Sequence, residues 1–462
     1  MKNKILEKVN IILLELLDAN SKINLINNTR IREIFIKNGD LYISLHYHNE
    51  DIQDIKLLRA LIRKKLSSLS DIKKITVTFA SDYNHGVGFV NNIDKSNTKV
   101  VDKYNMDGHK LLWHMDRVQS WKQGDRVVPL HLDMGITDVC NMACTYCYGV
   151  IQGRHGLGTE NKGRNDMPTD VVKKTFKEAK DIGVRSIALI GEGENTLHPD
   201  FYNIIEYGAK INLDLSLATN GIRISHDKNM LDILLTSLKW LRVNISAGEQ
   251  TAFEKIHGVK KYKQVLNNIR VMTQHKKDHG YGCTIGLQMV VVDDNVDQIV
   301  PLAKLGRDLG VDYLVIKACS DTPDAAIGAP QDKYMDMSSL FREAESFSNE
   351  SYTVSVKWQK LSNSGFKDYD VCFGTEFILG VSGNGNIFPC GHWFDVRSDE
   401  FLMGNLKEKS FKEIVESDRY WKVQQKIKEV NVNKECESNC RQHYINQFLW
   451  SVARDPEHVN FI

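Results

Sequence analysis

The sequence has no excess of charge of one sign and no long apolar run. Lysine and arginine total 60 against 59 aspartate and glutamate, a balance that argues against a chain-wide surface for nucleic acid or anionic membrane. No stretch approaches the roughly 18 apolar residues of a transmembrane helix. The first twenty residues carry charges throughout and lack the small-residue cleavage site of a signal peptide. We therefore expect a cytoplasmic protein without nucleic-acid or membrane partners.

Cysteine is absent from the first 139 residues and then occurs nine times. Because a reducing compartment disfavours disulfides, these thiols indicate metal binding or catalysis. Three of them lie within eight residues: Cys140, Cys144 and Cys147. Four fall within the last 91 residues: Cys372, Cys390, Cys436 and Cys440. The clustering and the odd total predict two metal centres, with Cys283 and Cys319 left over.

The length of 462 residues allows two to four domains of roughly 100–200 residues each. Hydrophobic periodicity and turn residues divide the chain into five predicted segments. They are a small α-β-β-α-β domain (1–80), a linker with a lead-in helix (81–125), a repeating βα core (126–320), a connecting segment (321–371) and a C-terminal domain (372–462).

Strand-like and helical stretches alternate six times in the core segment. Repeated strand–helix units predict a parallel sheet covered by helices, and hence an α/β fold with a partial (βα)6, TIM-like barrel. In such a barrel the reactive residues follow the C-terminal ends of the strands. The predicted strands span 127–134, 186–191, 213–219, 241–246, 284–292 and 312–317.

The first cysteine set follows the first predicted strand in a C-x3-C-x2-C arrangement. Three thiolates so close together can bind three irons of a [4Fe–4S] cluster and leave the fourth iron open to a small molecule. A zinc site is the alternative, and it needs a fourth ligand such as His155.

This segment, with Tyr146 directly before the third cysteine, resembles the cluster-binding loop of the radical S-adenosylmethionine (radical SAM) superfamily. The resemblance continues after the later strands and implies a radical SAM barrel in which Tyr146 packs on the adenine of SAM. It implies that a glycine-rich segment binds the methionine amino group through its backbone and that Ser246 contacts the ribose. The SAM-binding residues so implied are Tyr146, Gly191, Glu192, Gly193, Glu194, Thr219, Asn220, Ser246 and Gln288.

The second cysteine set has enough thiolates for one closed [4Fe–4S] cluster or for one closed zinc site. Its C-x12-G-x4-C spacing, with Gly385 and Pro389, resembles the SPASM/twitch extension of radical SAM enzymes. The full SPASM form carries about twice as many cysteines, so the resemblance implies the shorter twitch-type domain with one auxiliary cluster.

The resemblance implies an oxidoreductase with two [4Fe–4S] clusters and SAM as cofactors. SAM would be reductively cleaved to a 5′-deoxyadenosyl radical, which abstracts hydrogen from a small polar substrate, sugar-like or nucleotide-linked. An electron would then pass to the auxiliary cluster. Flavodoxin or ferredoxin is the implied reductant, under anaerobic conditions.

Two residues at the C-terminal end of the sixth predicted strand are further catalytic candidates. Cys319 could donate a hydrogen atom to a substrate radical, which would make the enzyme a redox-neutral epimerase, or it could be a packing residue. Lys317 could deprotonate a substrate radical, pair with an anionic substrate, or form an internal salt bridge. A peptide- or protein-modifying maturase, and a non-catalytic iron–sulfur carrier, are the remaining alternatives.

Overall fold

The computed structural model describes residues 29–37, 40–47, 62–66, 74–81, 103–150 and 164–461, together with Lys8, Val9, Ile12 and Leu69. The chain divides into two compact units, residues 1–99 and 100–462. Across these described ranges, no helix is both long and apolar enough to span a membrane.

The first unit contains a three-stranded sheet of β1 (Thr29–Lys37), β2 (Asp40–Tyr47) and β3 (Lys74–Ser81). The central strand β2 pairs antiparallel with β1 and parallel with β3. Leu41, Ile43 and Val77 are buried, as one face of a packed sheet requires. Hydrophobic periodicity in this domain predicts strands over 31–36, 41–47 and 73–79, and the three strands lie there. It also predicts helices over 3–19 and 53–68, which fall largely outside the described residues.

The second unit is built on a ten-stranded sheet that contains all six predicted core strands in sequence order. Its strands are β4 His131–Met134, β5 Ser186–Leu189, β6 Asp214–Thr219, β7 Leu238–Asn244, β8 Thr284–Val291, β9 Tyr313–Ala318, β10 Thr353–Val356, β11 Ile378–Val381, β12 Asn386–Phe388 and β13 Gly404–Asn405. Neighbouring strands from β4 to β10 are parallel. This arrangement confirms the predicted α/β class.

Two features of the sheet differ from the prediction. A seventh parallel strand, β10, lies in the segment predicted to be a connection (321–371). The sequence does not predict this strand because four residues are too few to show a period. The C-terminal strands also join the barrel sheet, since β11 pairs parallel with β4 and continues into the antiparallel hairpin with β12.

Helices cover one face of the sheet and follow most of its strands. They are α1 Met115–Lys122, α2 Thr169–Ile182, α3 Phe201–Lys210, α4 Lys228–Ser237, α5 Gln250–His257, α6 Tyr262–His279, α7 Ile299–Asp308, α8 Ser338–Glu345, α9 Trp358–Ser362, α10 Ser398–Phe401, α11 Phe411–Glu416, α12 Asp418–Ile427, α13 Val432–Glu435 and α14 His443–Ala453. The sequence predicts one helix over 409–428, and the structure has two, α11 and α12. Ser417 has an extended backbone that ends α11, and its side chain caps α12 by accepting a hydrogen bond from the Tyr420 amide.

Alternation along each strand separates the apolar core from the other face of the sheet, called here the lumen. On β9, Leu314 and Ile316 belong to the core under the helices, while Lys317 points to the opposite side. Polar and charged side chains occupy the lumen face of four strands: His131, Asp133, Arg242, Asn244, Gln288 and Lys317. The lumen is therefore a polar space rather than a packed hydrophobic core.

Candidate active site

The loop that carries the first three cysteines follows β4 and is anchored to the end of α5. The amides of Ala143 and Thr145 donate to the carbonyls of His257 and Ile256. Helix α5 stops there because Gly258 adopts a left-handed conformation (φ 67°), and a side chain at this glycine would meet Ala143. Cys140, Cys144 and Cys147 are all half-buried.

His257 contacts the sulfur of Cys144 and was not among the residues predicted from sequence. Its Nε2 lies 3.1 Å from the amide nitrogen of Ser246 and its Nδ1 lies 3.0 Å from Cys144 Sγ. Burial lowers the pKa of His257 to about 3, so the ring is neutral. Because Nε2 accepts the amide hydrogen, Nδ1 carries the proton and donates to the sulfur.

The glycine-rich segment after β5 packs on the backbone that leads into the cysteine loop. A Cβ atom at Gly191 would lie 2.7 Å from Gly135 Cα, and one at Gly193 would lie 2.4 Å from the Thr137 carbonyl oxygen. Glu192, which departs from the glycine usual in the resembling family, accepts a hydrogen bond from the Gly383 amide at 2.8 Å. Its side chain thus links this segment to the hairpin between β11 and β12.

Glu194 holds the turn after β6 in place. Its buried carboxylate accepts hydrogen bonds from Thr196, from the Thr219 hydroxyl at 2.7 Å and from the Asn220 amide at 2.6 Å. The Asn220 side chain in turn donates to Asn141 at 2.7 Å and lies 3.8 Å from Cys140 Sγ. Glu194 therefore positions the cysteine loop through Asn220, and its direct contact with SAM stays a prediction.

The remaining residues predicted to bind SAM form one hydrogen-bonded network at the ends of β7 and β8. Tyr146 Oη lies 2.6 Å from Ser246 Oγ and accepts from Asn244 at 3.2 Å, while Gln288 donates to Asn244 at 3.3 Å. Ser246 Oγ also accepts from the Val290 amide. Ser246 is fully buried, so its hydroxyl orients Tyr146, and its contact with a ribose stays a prediction.

Cys319 lies against Tyr146 in a small apolar cluster with Val290 and Ile256. The residue is 1% exposed, and burial raises the pKa of its thiol to about 12, so the sulfur keeps its hydrogen. Lys317 lies two residues earlier on the lumen face, and no described residue hydrogen-bonds or ion-pairs with it. The structure thus brings Cys319, but not Lys317, into contact with the predicted adenine-packing tyrosine.

The four C-terminal cysteines come from three separate segments of the chain, around 372, 390 and 436–440, and lie close enough for their charges to interact. Burial raises the pKa of Cys372 to about 12, and Cys440 adds to that rise. Asn446 on α14 donates to Cys372 Sγ at 3.4 Å, and the Gln442 amide donates to Cys440 Sγ at 3.3 Å. Buried Lys367 faces the same sulfurs, a suitable countercharge for an anionic thiolate centre.

The spacing of the sulfurs separates the zinc and iron–sulfur alternatives. A tetrahedral zinc with thiolate ligands holds its sulfurs about 4 Å apart. Among the described residues, the one group with three ligand atoms mutually within 4.8 Å is Asp232, His275 and His279, and it contains no cysteine. Among the described cysteines, no three sulfurs of either set lie that close together, which favours a four-iron cluster over a single zinc ion. His155, the candidate fourth zinc ligand, lies outside the described residues.

Family models match both cysteine regions of the chain. The model of the radical SAM superfamily matches residues 134–306, and the model of the SPASM iron–sulfur cluster-binding domain matches residues 372–442. The chain belongs to the radical SAM superfamily. As a radical SAM protein with a SPASM domain, it takes SAM and two iron–sulfur clusters as its cofactors, and the seven clustered cysteines suit those clusters in number and spacing.

Curated relatives of this radical SAM protein include two from archaea. A tungsten-containing aldehyde ferredoxin oxidoreductase cofactor-modifying protein of Pyrococcus furiosus is 22% identical over 308 residues, 63% of this chain and 82% of the relative. An AdoMet-dependent heme synthase of Methanosarcina barkeri is 23% identical over 302 residues, 61% of this chain and 80% of the relative.

A solved structure shares the fold of this radical SAM protein. Streptococcus suis SuiB bound to S-adenosylmethionine matches 68% of this chain and 72% of its own, with a TM-score of 0.52 and 15% identity. The complex of SuiB with its precursor peptide SuiA matches 80% of each chain, with a TM-score of 0.51 and 16% identity. The similarity extends beyond the barrel into the neighbouring domains.

Proposed function

We propose that this radical SAM protein is an oxidoreductase that removes a hydrogen atom and an electron from a small polar substrate held in the lumen. When bound, SAM and its cluster supply the radical that takes the hydrogen atom, and the second cluster supplies an electron acceptor. The proton released with that electron requires an acceptor on the lumen face, where His131 lies 3.1 Å from the carboxylate of Asp133. The hydrogen atom, electron and proton together complete a two-electron oxidation.

The observation that carries the proposal is the ion pair between Arg441 and Asp133. Arg441 directly follows Cys440, and its Nε lies 3.0 Å from the carboxylate of Asp133 on the lumen face of β4. On the side of β9, Asn439 donates to the Cys319 carbonyl at 2.7 Å. The segment that ends in Cys440 therefore adjoins the lumen directly, which supports electron transfer over a short distance.

A small substrate is favoured over a peptide by the curated relatives and by the lumen itself. The names of the two archaeal relatives describe action on a cofactor and the synthesis of heme, both small molecules. The lumen side chains His131, Asp133, Asn244 and Gln288 offer hydrogen-bonding groups of the kind that orient a polar metabolite.

The proposal is tested on anaerobically reconstituted protein. The unaltered chain should hold about eight irons and should cleave SAM to 5′-deoxyadenosine when reduced by dithionite. Incubation with candidate metabolites should then give a product two electrons more oxidised than the substrate, together with a reduced second cluster visible by electron paramagnetic resonance. About four irons with bound zinc would contradict the second cluster, and a product at the oxidation level of the substrate would contradict oxidation.

An epimerase is the second candidate, favoured by the contact between Cys319 and Tyr146. Because the thiol stays protonated and lies beside the predicted adenine position, it could return a hydrogen atom to a substrate radical. The thiyl radical left on Cys319 would regain the thiol by taking an electron that the second cluster supplies when reduced, together with a proton from solvent. Turnover in D₂O distinguishes the two reactions. An epimerase places solvent deuterium in the product, and its Cys319→Ser variant should not. An oxidoreductase that removes hydrogen from the substrate should incorporate no deuterium.

A further inference from the structure

Two cations on the lumen face have no carboxylate partner among the described residues. The guanidinium of Arg242 on β7 lies 5.0 Å from the ring centre of Trp240 and hydrogen-bonds with Tyr313, but its Nε hydrogen is buried without an acceptor. The Lys317 ammonium on β9 has no hydrogen-bond or ion-pair partner there, and the charged groups that act on it are mainly other cations: Arg242, Lys360 and Arg441. A buried cation without an anionic partner is costly, so an anion bound in the lumen would stabilise the charged form of both side chains.

The strand register brings Arg242 and Lys317 to the same face of neighbouring strands. Arg242 pairs with Gly286 on β8, and Lys317 pairs with Val290 four residues further along the same strand. Residues at these positions point to the same side of the sheet, because side chains alternate with a period of two. The two cations therefore flank Gln288, which lies between them on β8.

Neighbouring cations already have oxygen acceptors, which sets the ammonium of Lys317 apart. Arg441 pairs with Asp133, and Asp133 also contacts His131 at 3.1 Å. Lys360 donates to the Cys440 carbonyl at 2.7 Å, and Lys357 donates to the Met106 carbonyl at 2.5 Å. The charge of the auxiliary cluster has its own countercharge in Lys360 and Lys367, and therefore does not account for Arg242 and Lys317.

The lumen face is partly open to solvent. The side chain of Arg441 keeps 54% of its full exposure and Asp133 keeps 20%, although both lie among the barrel strands and the cysteine segment. A polar space with exposed charged walls is the kind of cleft in which a small anion binds.

We propose that Arg242 and Lys317 bind an acidic group of the substrate, a carboxylate or a phosphate, in the lumen beside Gln288. The inference rests on the proposed function and specifies it: the small polar substrate is an anion. Guanidinium and ammonium groups recognise both oxyanions through charge-assisted hydrogen bonds. The acidic group anchors the substrate, so that the C–H bond to be broken is carried by a neutral part of the same molecule.

The test measures anion binding to reconstituted, SAM-loaded protein by calorimetry, with succinate and pyrophosphate as probes. We expect the unaltered chain to bind at least one probe, and the one that binds more tightly distinguishes a carboxylate from a phosphate. Lys317→Met should weaken that binding roughly 10- to 100-fold, and Lys317→Arg should restore most of it. The matched control Lys304→Met, an exposed lysine on α7, should leave it unchanged.

Three results would overturn the inference. They are the absence of binding by either probe, equal binding by Lys317→Met and the unaltered chain, and competition between probe and SAM. Competition would assign the cations to the carboxylate of SAM.

Iron content and SAM cleavage are measured on the same preparation. Loss of iron or of SAM cleavage in the unaltered chain would contradict the proposed function. Loss of probe binding while iron content and SAM cleavage are intact would contradict this inference alone. Arg242→Met provides a second variant if Lys317→Met loses iron.

Discussion

The two cysteine sets of this protein differ in their spacing along the chain and in their surroundings. The first spans eight residues of one loop, is half-buried, and receives hydrogen bonds from other strands and helices through His257 and Asn220. The second spans residues 372–440, has one buried cysteine, Cys372, and places Asn446 and Gln442 beside its sulfurs. The first set offers three thiolates from one short loop at the strand ends, whereas the second gathers four thiolates from three separate segments.

This difference predicts separate roles for the two centres. An open site can bind a cofactor directly, and an enclosed site can exchange electrons but not ligands. The closed set also joins distant parts of the chain, from the start of β11 to the start of α14. The following experiments test whether the two centres are as independent as their surroundings indicate.

The largest effect is expected from removing one cysteine of each set. Cys144→Ala should lose about four irons and all detectable SAM cleavage, because the open cluster requires three thiolates. Cys436→Ala should also lose about four irons, yet SAM should still perturb the resonance spectrum of the remaining cluster. Cys283→Ala, a buried spare cysteine at the start of β8, should retain all the iron. Loss of both clusters from either variant would contradict their independence.

A smaller effect is expected at Glu194, which supports only the open set. Glu194→Ala removes the acceptor for Thr219 and Asn220 and should weaken SAM binding roughly 10- to 100-fold, the usual range for residues that orient ligands. Equilibrium dialysis with labelled SAM measures the change. Glu343→Ala, which replaces an exposed glutamate on α8, provides the control. Unchanged SAM affinity in Glu194→Ala would mean that the turn after β6 does not position the cysteine loop.

Replacing His257 should change the reduction potential of the first cluster and leave that of the second unchanged. A hydrogen bond to a cluster thiolate stabilises the reduced, more negative state, so His257→Phe should make the potential of the first cluster more negative. The second cluster should keep its potential, since its sulfurs contact Asn446 and Gln442 instead. Redox titration followed by electron paramagnetic resonance reports both values. Equal shifts in the two clusters would point to a global change in folding.

The smallest effect is a pH dependence of the proposed anion site. Burial and the neighbouring Arg242 lower the pKa of Lys317 to about 7, so the empty site loses its ammonium charge as the pH rises through that value. Probe binding should therefore weaken severalfold between about pH 6 and pH 8. Lys317→Arg keeps its charge throughout and should show a flat profile. A flat profile in the unaltered chain would contradict protonation of Lys317 as the cause.

The two cysteine sets and the site residues at the strand ends could be predicted from the sequence, because both are local patterns. The C-x3-C-x2-C spacing needs no tertiary information, and Gly191 and Gly193 follow their strand directly. His257 and Asp133 were not predicted, because their partners lie 113 and 308 residues away along the chain. Arg242 was not predicted either. One signal was present: Asp133 and Arg242 are charged residues inside otherwise apolar parallel strands, where a charge must face a lumen or a ligand.

The sequence alone determined the α/β class, the radical SAM resemblance and the division of the cysteines into three, four and two, because these depend on periodicity and short spacings. Only the tertiary structure decided which groups meet: Arg441 with Asp133, Glu192 with Gly383, and Cys319 with Tyr146. It also added β10 and β11 to the barrel sheet. Such contacts follow from the closure of the sheet, which brings distant residues together without leaving a repeat in the sequence.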